Sequence, residues 1–339
     1  MTGTKVPSNI VMSKKIFVTG GTGFIGSHVV KKLIARNYSI TCLVRSKEKG
    51  KSLSALGATL HEGDITDKDS MREGMQGHDA VFHIAAWYEL GNSKKYRDKM
   101  TNINVGGTKN ICELVEELKI KRLIYCSTVA ALGPVNENEI GDENHKHPGG
   151  YRSWYEKTKY EAHEYVKKKM RNGLPVTIVM PAAVYGPGDT SALGGLMKMY
   201  IQRKIPAKIN SNGKFSFVHV DDVAEGIILA YERGKIGESY CLADKDSLLS
   251  INELYDLMEK LTGIPAPERI VSINVAKFFT YFSELKSRLL NRRPVISVEG
   301  INMITTNWAY HGEKAKRELN WKPRKLEHGL KETIESLYS

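Results

Sequence analysis

Tyr155 and Lys159 stand four residues apart in "WYEKTKYEA", a spacing that puts both side chains on one face of a helix. A phenol titrating at about 10 is a weak acid at neutral pH, and a neighbouring ammonium favours its ionised form. The pair therefore suits proton transfer to or from an oxygen, although tyrosine and lysine also meet at this spacing on ordinary amphipathic helices. A second stretch, "RLIYCSTVAALG", ends an apolar run on Ser127 and Thr128. A hydroxyl there can hydrogen-bond a substrate oxygen while the tyrosine moves the proton, or it can simply start a loop. A third, "KKIFVTGGTGFIGSHVVKKLI", sets Gly20, Gly21, Gly23 and Gly26 between an apolar run and a helical pattern. Backbone that bare lets an anion approach the unpaired amides and positive dipole end of a helix, which points to a nucleotide.

Positioning these groups requires elements, and the pattern supplies them in alternation. Strands are expected at 16–19, 39–44, 59–62, 80–83, 122–126 and 176–180, and helices at 24–36, 47–56, 68–75, 96–118 and 151–171. That order implies a doubly wound α/β fold, a parallel sheet covered by helices on both faces. Gly20, Gly23 and Gly26 then fall between the first strand and first helix, the context of a dinucleotide-binding turn. The pyrophosphate is expected on the helix opening at Phe24 and Ile25. The second strand ends at Arg45, where an acidic residue would bind both ribose hydroxyls of NAD and a guanidinium accommodates a 2′-phosphate. NADP(H) is therefore favoured, with NAD(H) as the alternative. After the third strand, Asp64 and Ile65 are expected at the adenine edge, though Asp64 also suits a plain turn.

Beyond Pro181 the regularity weakens. A glycine- and proline-rich loop leads to a short helix near 196–202, a strand-like "KFSFVHV", a helix at 222–233 capped by Asp221, and a strand at 239–242. The resulting division is a tail over 1–13, a dinucleotide-binding domain over 14–184 with a returning segment near 215–243, and a smaller, mostly helical substrate lobe over 185–214 and 244–339. Within that lobe "AKFFTYFSELKSRLL" is amphipathic, and a core-facing or subunit-facing helix is expected in preference to a membrane-surface one.

Composition narrows the function classes. The 339 residues are 41% hydrophobic and 26% charged, as in ordinary globular chains, and no apolar run has membrane-spanning length. The opening "MTGTKVPSNIVMS" carries no signal-like apolar run, so a cytoplasmic protein is expected. Cys42, Cys112, Cys126 and Cys241 sit singly in apolar stretches and read as reduced core residues. The net charge of +12 arises from dispersed basic runs without interleaved aromatics, which argues for a lysine-rich surface over nucleic-acid binding. His145 and His147 have metal-like spacing but fall in a polar loop, and no metal is expected. Trp87, Tyr88, Trp154 and Tyr185 are candidates for an aromatic substrate pocket or for packing.

Taken in order, "TGGTGFIG", "GDITD", "VFHIAAW", "NVGGTKNI", "YCSTVAALG", "WYEKTK", "MPAAVYGPGD" and "FSFVHVDDVAEGI" resemble the extended short-chain dehydrogenases. The resemblance implies a Thr128, Tyr155 and Lys159 catalytic set on NAD(P), with Thr128 preferred to Ser127 by its distance from Gly133. It also implies that Ala85, Ala86, Ser127, Pro181 and Val184 line the cofactor, that Asn104 orders the site, and that the chain forms a homodimer. Sugar-nucleotide epimerases of this superfamily usually carry Asp at the end of the second strand and a diphosphate-binding Arg where this chain has Phe215. The dihydroflavonol reductase-like branch is closer, with "VR", "HIAA" and "FVHVDDVA". The expected activity is reduction of a small carbonyl compound, or oxidation of the alcohol. A nucleotide-sugar epimerase or dehydratase is the first alternative, and a non-catalytic dinucleotide-sensing or RNA-binding scaffold the second.

Overall fold

A computed structural model describes residues 13–89, 94–289 and 297–338, with side chains omitted for 285–289. The expected tail thus lies, apart from Ser13, outside the described residues. The first half alternates β1 (Lys15–Thr19), α1 (Phe24–Ala35), β2 (Ser39–Val44), α2 (Lys51–Ala55), β3 (Thr59–Glu62), α3 (Lys68–Met75) and β4 (Ala80–His83). There follow α4 (Lys94–Thr101), α5 (Gly107–Glu117), β5 (Leu123–Cys126), α6 (Trp154–Arg171) and β6 (Val176–Pro181). Strands such as "LIYC" and "AVFH" are buried at every position, as both faces of a covered parallel sheet demand.

Two expected helices are interrupted. The segment 47–56 is a 3-10 turn over Lys47–Gly50 before α2. The segment 96–118 carries a π-turn, Asn102–Gly106, between α4 and α5. Such a turn re-aims side chains within a helix, and Asn104 lies inside it.

The chain continues through β7 (Ala183–Tyr185), α7 (Ala192–Ile201), β8 (Lys208–Ile209), β9 (Lys214–His219), α8 (Val220–Glu232) and β10 (Ser239–Leu242). Here β10 joins the parallel sheet beside β6, giving the seven-stranded order β10-β6-β5-β4-β1-β2-β3. The order reverses between β1 and β4, which is where a doubly wound sheet opens a ligand crevice at its strand ends. By contrast, β9 pairs with β7 and with β11 (Leu248–Ser250) in a separate three-stranded sheet. The cap of α8 is His219, whose side chain accepts from Asp221 N, and not Asp221 as expected. The Asp221 carboxylate instead meets His28 of α1 at 2.8 Å.

One apolar layer packs α1 and α8 against the sheet, and a second packs α3, α5 and α6 against its other face. The remaining chain, α9 (Ile251–Thr262), β12 (Ile270–Val271), α10 (Ile273–Leu289), α11 (Val298–Ile304), α12 (Glu313–Leu319) and α13 (Leu326–Tyr338), is mostly helical. A third apolar cluster joins α7, α9 and α13 around Tyr200, Tyr255, Met258 and Leu330. In α10, Phe278, Phe279, Tyr281 and Phe282 are exposed, which excludes the core-facing expectation and leaves the subunit-facing one. All four cysteines are buried and free.

Candidate active site

The glycine turn is built for close approach. Gly20 has φ +79°, and a Cβ there would stand 2.5 Å from Ala85 N; at Gly26 a Cβ would stand 2.0 Å from Gly20 O. These two glycines draw β1, α1 and the Ala85 segment together. Gly23 caps α1 with no side-chain hydrogen bond and no acidic residue in the first turn, so the helix's positive end is left to an external anion. Arg45 is exposed just after β2 and has no carboxylate partner among the described residues. A bare backbone cradle, an unneutralised helix end and an unpaired guanidinium together fit a dinucleotide. Asp64 is less committed, because its Oδ1 accepts from Thr66 N and Thr66 Oγ1, both at 2.8 Å. Ile65 packs against Gly107, Pro181 closes β6, and Val184 is the middle residue of β7.

Tyr155 lies in the first turn of α6, which is firmly clamped. Ser153 caps it, accepting from Glu156 N at 3.1 Å, and the fully buried Glu156 accepts from Arg152 N at 2.6 Å and His147 Nε2 at 3.0 Å. His147 thus packs down onto the helix, while His145 Nε2 turns to Pro134 O. The two loop histidines serve separate structural partners.

Burial, followed by the nearby Tyr88 phenol, pushes the Tyr155 pKa well up, and the approaching Thr128 hydroxyl acts the other way. The phenol is consequently neutral and carries a proton at physiological pH. Thr128 follows β5 and caps the short 3-10 turn Val129–Ala131, its Oγ1 accepting from Ala130 N at 3.2 Å. Ser127 turns away, pairing with the buried His163 Nδ1 at 2.9 Å. Of the two adjacent hydroxyls, Thr128 is therefore the one beside the phenol.

Lys159 is 3% exposed, and burial lowers its pKa to about 8. Its ammonium donates to Cys126 O at 3.1 Å and lies over the Tyr125 ring. It thus sits at the carboxyl end of β5, one turn behind Tyr155, where a bound ribose can compete for the same protons.

Asn104 ties three parts together. Its Oδ1 accepts from Trp87 N at 2.7 Å, and its Nδ2 donates to Trp87 O and to Thr158 Oγ1, both at 3.0 Å. The segment through Ala85, Ala86 and Trp87 is held against α6 in this way. Behind it runs a buried chain from Thr19 Oγ1 to His83 Nδ1, from His83 Nε2 to Thr108 Oγ1, and from Thr108 to Asn104 O.

Of the four aromatic candidates, Tyr88 comes nearest the chemistry, its ring edge-on to Tyr155 with centroids 4.6 Å apart. Trp87 is half-buried beside Tyr96. Trp154 is taken up by α4, its Nε1 donating to Arg97 O and Thr101 Oγ1 at 3.1 Å. Tyr185 belongs to the third apolar cluster, with its hydroxyl on Leu326 O, because β7 turns it away from the strand ends. The partners missed from sequence are His163, Glu156 and His83. Only His163 left a local signal, sitting four residues after Lys159 on the same helix face. A cavity of about 880 Å3 near Asp244, Lys316, Trp321 and Leu326 shares no residue with this cluster.

Residues 16–243 match the model of the NAD dependent epimerase/dehydratase family. The chain belongs to that family. Among its relatives, a Synechocystis sp. protein provisionally named dihydroflavonol 4-reductase is 30% identical, covering 96% of this chain and 95% of its own. A Stigmatella aurantiaca 4-hydroxy-2-methyl-3-oxo-4-farnesyl-3,4-dihydroquinoline-1-oxide ketoreductase is 29% identical over 91% and 92%. A solved UDP-glucose 4-epimerase of Thermotoga maritima, bound to UDP-glucose, superposes with a TM-score of 0.75 at 25% identity over 96% and 98%. The family's members are enzymes acting on small molecules, and both reductases and epimerases share this fold. No described helix is long and apolar enough to cross a membrane.

Proposed function

We propose that this enzyme reduces a carbonyl group of a small organic substrate with NADPH, and oxidises the alcohol in reverse. The observation that carries the reading is the meeting of a neutral Tyr155 phenol with the Thr128 hydroxyl at the carboxyl end of β5, one helical turn from Lys159. When bound, the nicotinamide supplies the hydride that a carbonyl carbon accepts. Tyr155 then gives its proton to the carbonyl oxygen, and Thr128 donates a hydrogen bond to the same atom. Lys159 holds the ribose and stabilises the phenolate that proton transfer leaves behind. The amides at Phe24 and Ile25 receive the pyrophosphate, and Arg45 receives the 2′-phosphate. The C-terminal helices form the substrate lobe.

The ketoreductase relative supports reduction, and the epimerase structure favours a second reading as a nucleotide-sugar epimerase. Against the latter, Phe215 is half-buried beside Phe217 and Trp308, an apolar setting for a position expected to hold a diphosphate. The deciding experiment follows NADPH consumption over a panel of aldehydes and ketones, alongside interconversion of UDP-glucose and UDP-galactose. Turnover of a carbonyl that falls about 10²–10⁴-fold in Tyr155→Phe, with NADPH affinity kept, is the expected result. Parent-rate turnover by that variant rules the assignment out, and sugar interconversion without NADPH consumption selects the epimerase.

A further inference from the structure

One buried titratable group beside the reacting set takes no part in the proposed chemistry. His163 is 2% exposed, and its Nδ1 stands 2.9 Å from Ser127 Oγ. Burial foremost, then the ammonium groups of Lys167 and Lys159, hold its pKa down. The ring is therefore neutral, and a neutral imidazole and a hydroxyl satisfy each other in either tautomer. Ser127 is itself fixed to the sheet, its N–H donating to Val179 O of β6 at 2.8 Å. The imidazole thus ties α6 to the end of β5, at the residue next to Thr128.

The place of this tie on the helix gives it a role. Tyr155, Lys159 and His163 follow at i, i+4 and i+8 and share one face of α6. Lys159 also reaches β5, through Cys126 O, but its ammonium is the group that a bound ribose draws away. Asn104 holds α6 through Thr158, yet to the Trp87 segment rather than to β5. The clamp at Ser153 and Glu156 acts on the first turn. The bond between His163 and Ser127 links the reacting face to β5 without giving up its partner during turnover. Beside it the Tyr125 hydroxyl is buried, with no hydrogen-bond partner among the described residues. Burial above all raises the Tyr125 pKa, while the Thr108 and Ser127 hydroxyls next to it act the other way. A Ser127 released by His163 has this second partner to turn to.

We propose that His163 is a positioning residue: its bond to Ser127 sets the height of α6 on β5 and so holds the Tyr155 phenol in register with Thr128. A displacement of about 1 Å at a reacting group costs on the order of 10² in rate, so a hydrogen bond two helical turns away governs turnover without touching substrate. The inference rests on Tyr155, Thr128 and Lys159 being the reacting set. It holds equally for carbonyl reduction and for epimerisation of a sugar nucleotide.

The test compares His163→Leu, His163→Gln and Ser127→Ala with the parent, on whichever carbonyl or sugar nucleotide the parent turns over. His163→Leu is expected to lower kcat about 10- to 100-fold, with KM and NADPH affinity within about threefold. His163→Gln, whose amide pairs again with Ser127, is expected to bring kcat back to within about threefold of the parent. Ser127→Ala should lose as much as His163→Leu, and the double variant no more than either alone, because both break one bond. Rates are taken well below each melting temperature, where a merely structural role leaves kcat unchanged. NADPH fluorescence confirms folding, and Ser127→Ala, the smaller change, carries the comparison where His163→Leu does not fold. Parental kcat in the variants that break the bond overturns the proposal, as does an additive loss in the double variant. A far larger loss in Ser127→Ala than in His163→Leu overturns it too, since Ser127 is then itself a reacting hydroxyl. Turnover of sugar nucleotides alone removes the reductase reading and leaves this comparison standing, whereas a parent inactive on both classes removes both.

Discussion

In the proposed mechanism Arg45 and Lys159 take the two cationic roles, and each makes a separable prediction. With no carboxylate holding it among the described residues, Arg45 can fork onto a 2′-phosphate. Arg45→Glu is expected to lower kcat/KM with NADPH by about ten- to a hundredfold while leaving NADH within about threefold. Equal losses with both cofactors would show that Arg45 does not read the phosphate. Lys159 is the opposite case, a cation held out of water. Its pKa falls from 10.5 to about 8, so from about pH 8 to 10.5 the unfolded state binds more protons than the folded one. The resulting penalty on stability is full below about pH 8 and relieved as pH rises toward 10.5, and is worth on the order of 2–4 kcal/mol before the lost bond to Cys126 O is counted. Lys159→Met should therefore raise the urea midpoint at pH 7 while abolishing turnover. The stability difference should shrink by pH 10.5, and a constant difference across that range would contradict the burial argument.

Among the elements, the π-turn between α4 and α5 matters most, because it aims Asn104 at both the Trp87 segment and α6. Asn104→Ala leaves Trp87 N, Trp87 O and Thr158 without that partner, and unpaired buried groups cost about 1–3 kcal/mol each. The expected outcome is a lower melting temperature together with a fall in kcat larger than the change in NADPH affinity, since the glycine turn is built separately from β1 and α1. A loss of NADPH binding with kcat intact would place Asn104 with the cofactor cradle instead. The interruption was not legible in the sequence, where 96–118 has one unbroken helical period. Periodicity reports which face is apolar, not whether one residue is added to a turn.

At the scale of the whole molecule, His83 behind the Ala85 segment and His163 behind Ser127 are buried as neutral rings, each with its pKa lowered by burial to about 3. Unfolded imidazoles take up protons near 6.5, so between about pH 6.5 and 3 the unfolded state binds more protons and stability falls as pH falls. Each ring contributes up to about 1.4 kcal/mol per pH unit in that window. The urea midpoint is expected to drop steeply from pH 7 to 5, and His163→Gln, which keeps a hydrogen bond to Ser127, should make the slope shallower. An unchanged slope would mean that other groups govern acid sensitivity. Both rings belong to the scaffold holding Tyr155 and Thr128, so activity should be lost along the same profile.

Much of this protein was legible from local pattern alone. The alternation of short apolar runs with helical periods determined a covered parallel sheet, the glycines at 20, 23 and 26 located the bare strand-to-helix turn, and a four-residue spacing put Tyr155 and Lys159 on one helix face. These are properties of neighbours in the chain, and period and backbone sterics express them wherever the chain folds. Tertiary structure alone decided that Ser127 is taken up by His163, that the Lys159 ammonium rests on Cys126 O, and that Asn104 reaches Thr158. It also decided that Tyr185 is core and that β9 leaves the main sheet. These depend on partners far apart in sequence. For α10 the pattern revealed an apolar face, but which side meets the lobe is set by packing against α11, and that packing buries Thr280 and Glu284 and leaves the phenylalanines outside.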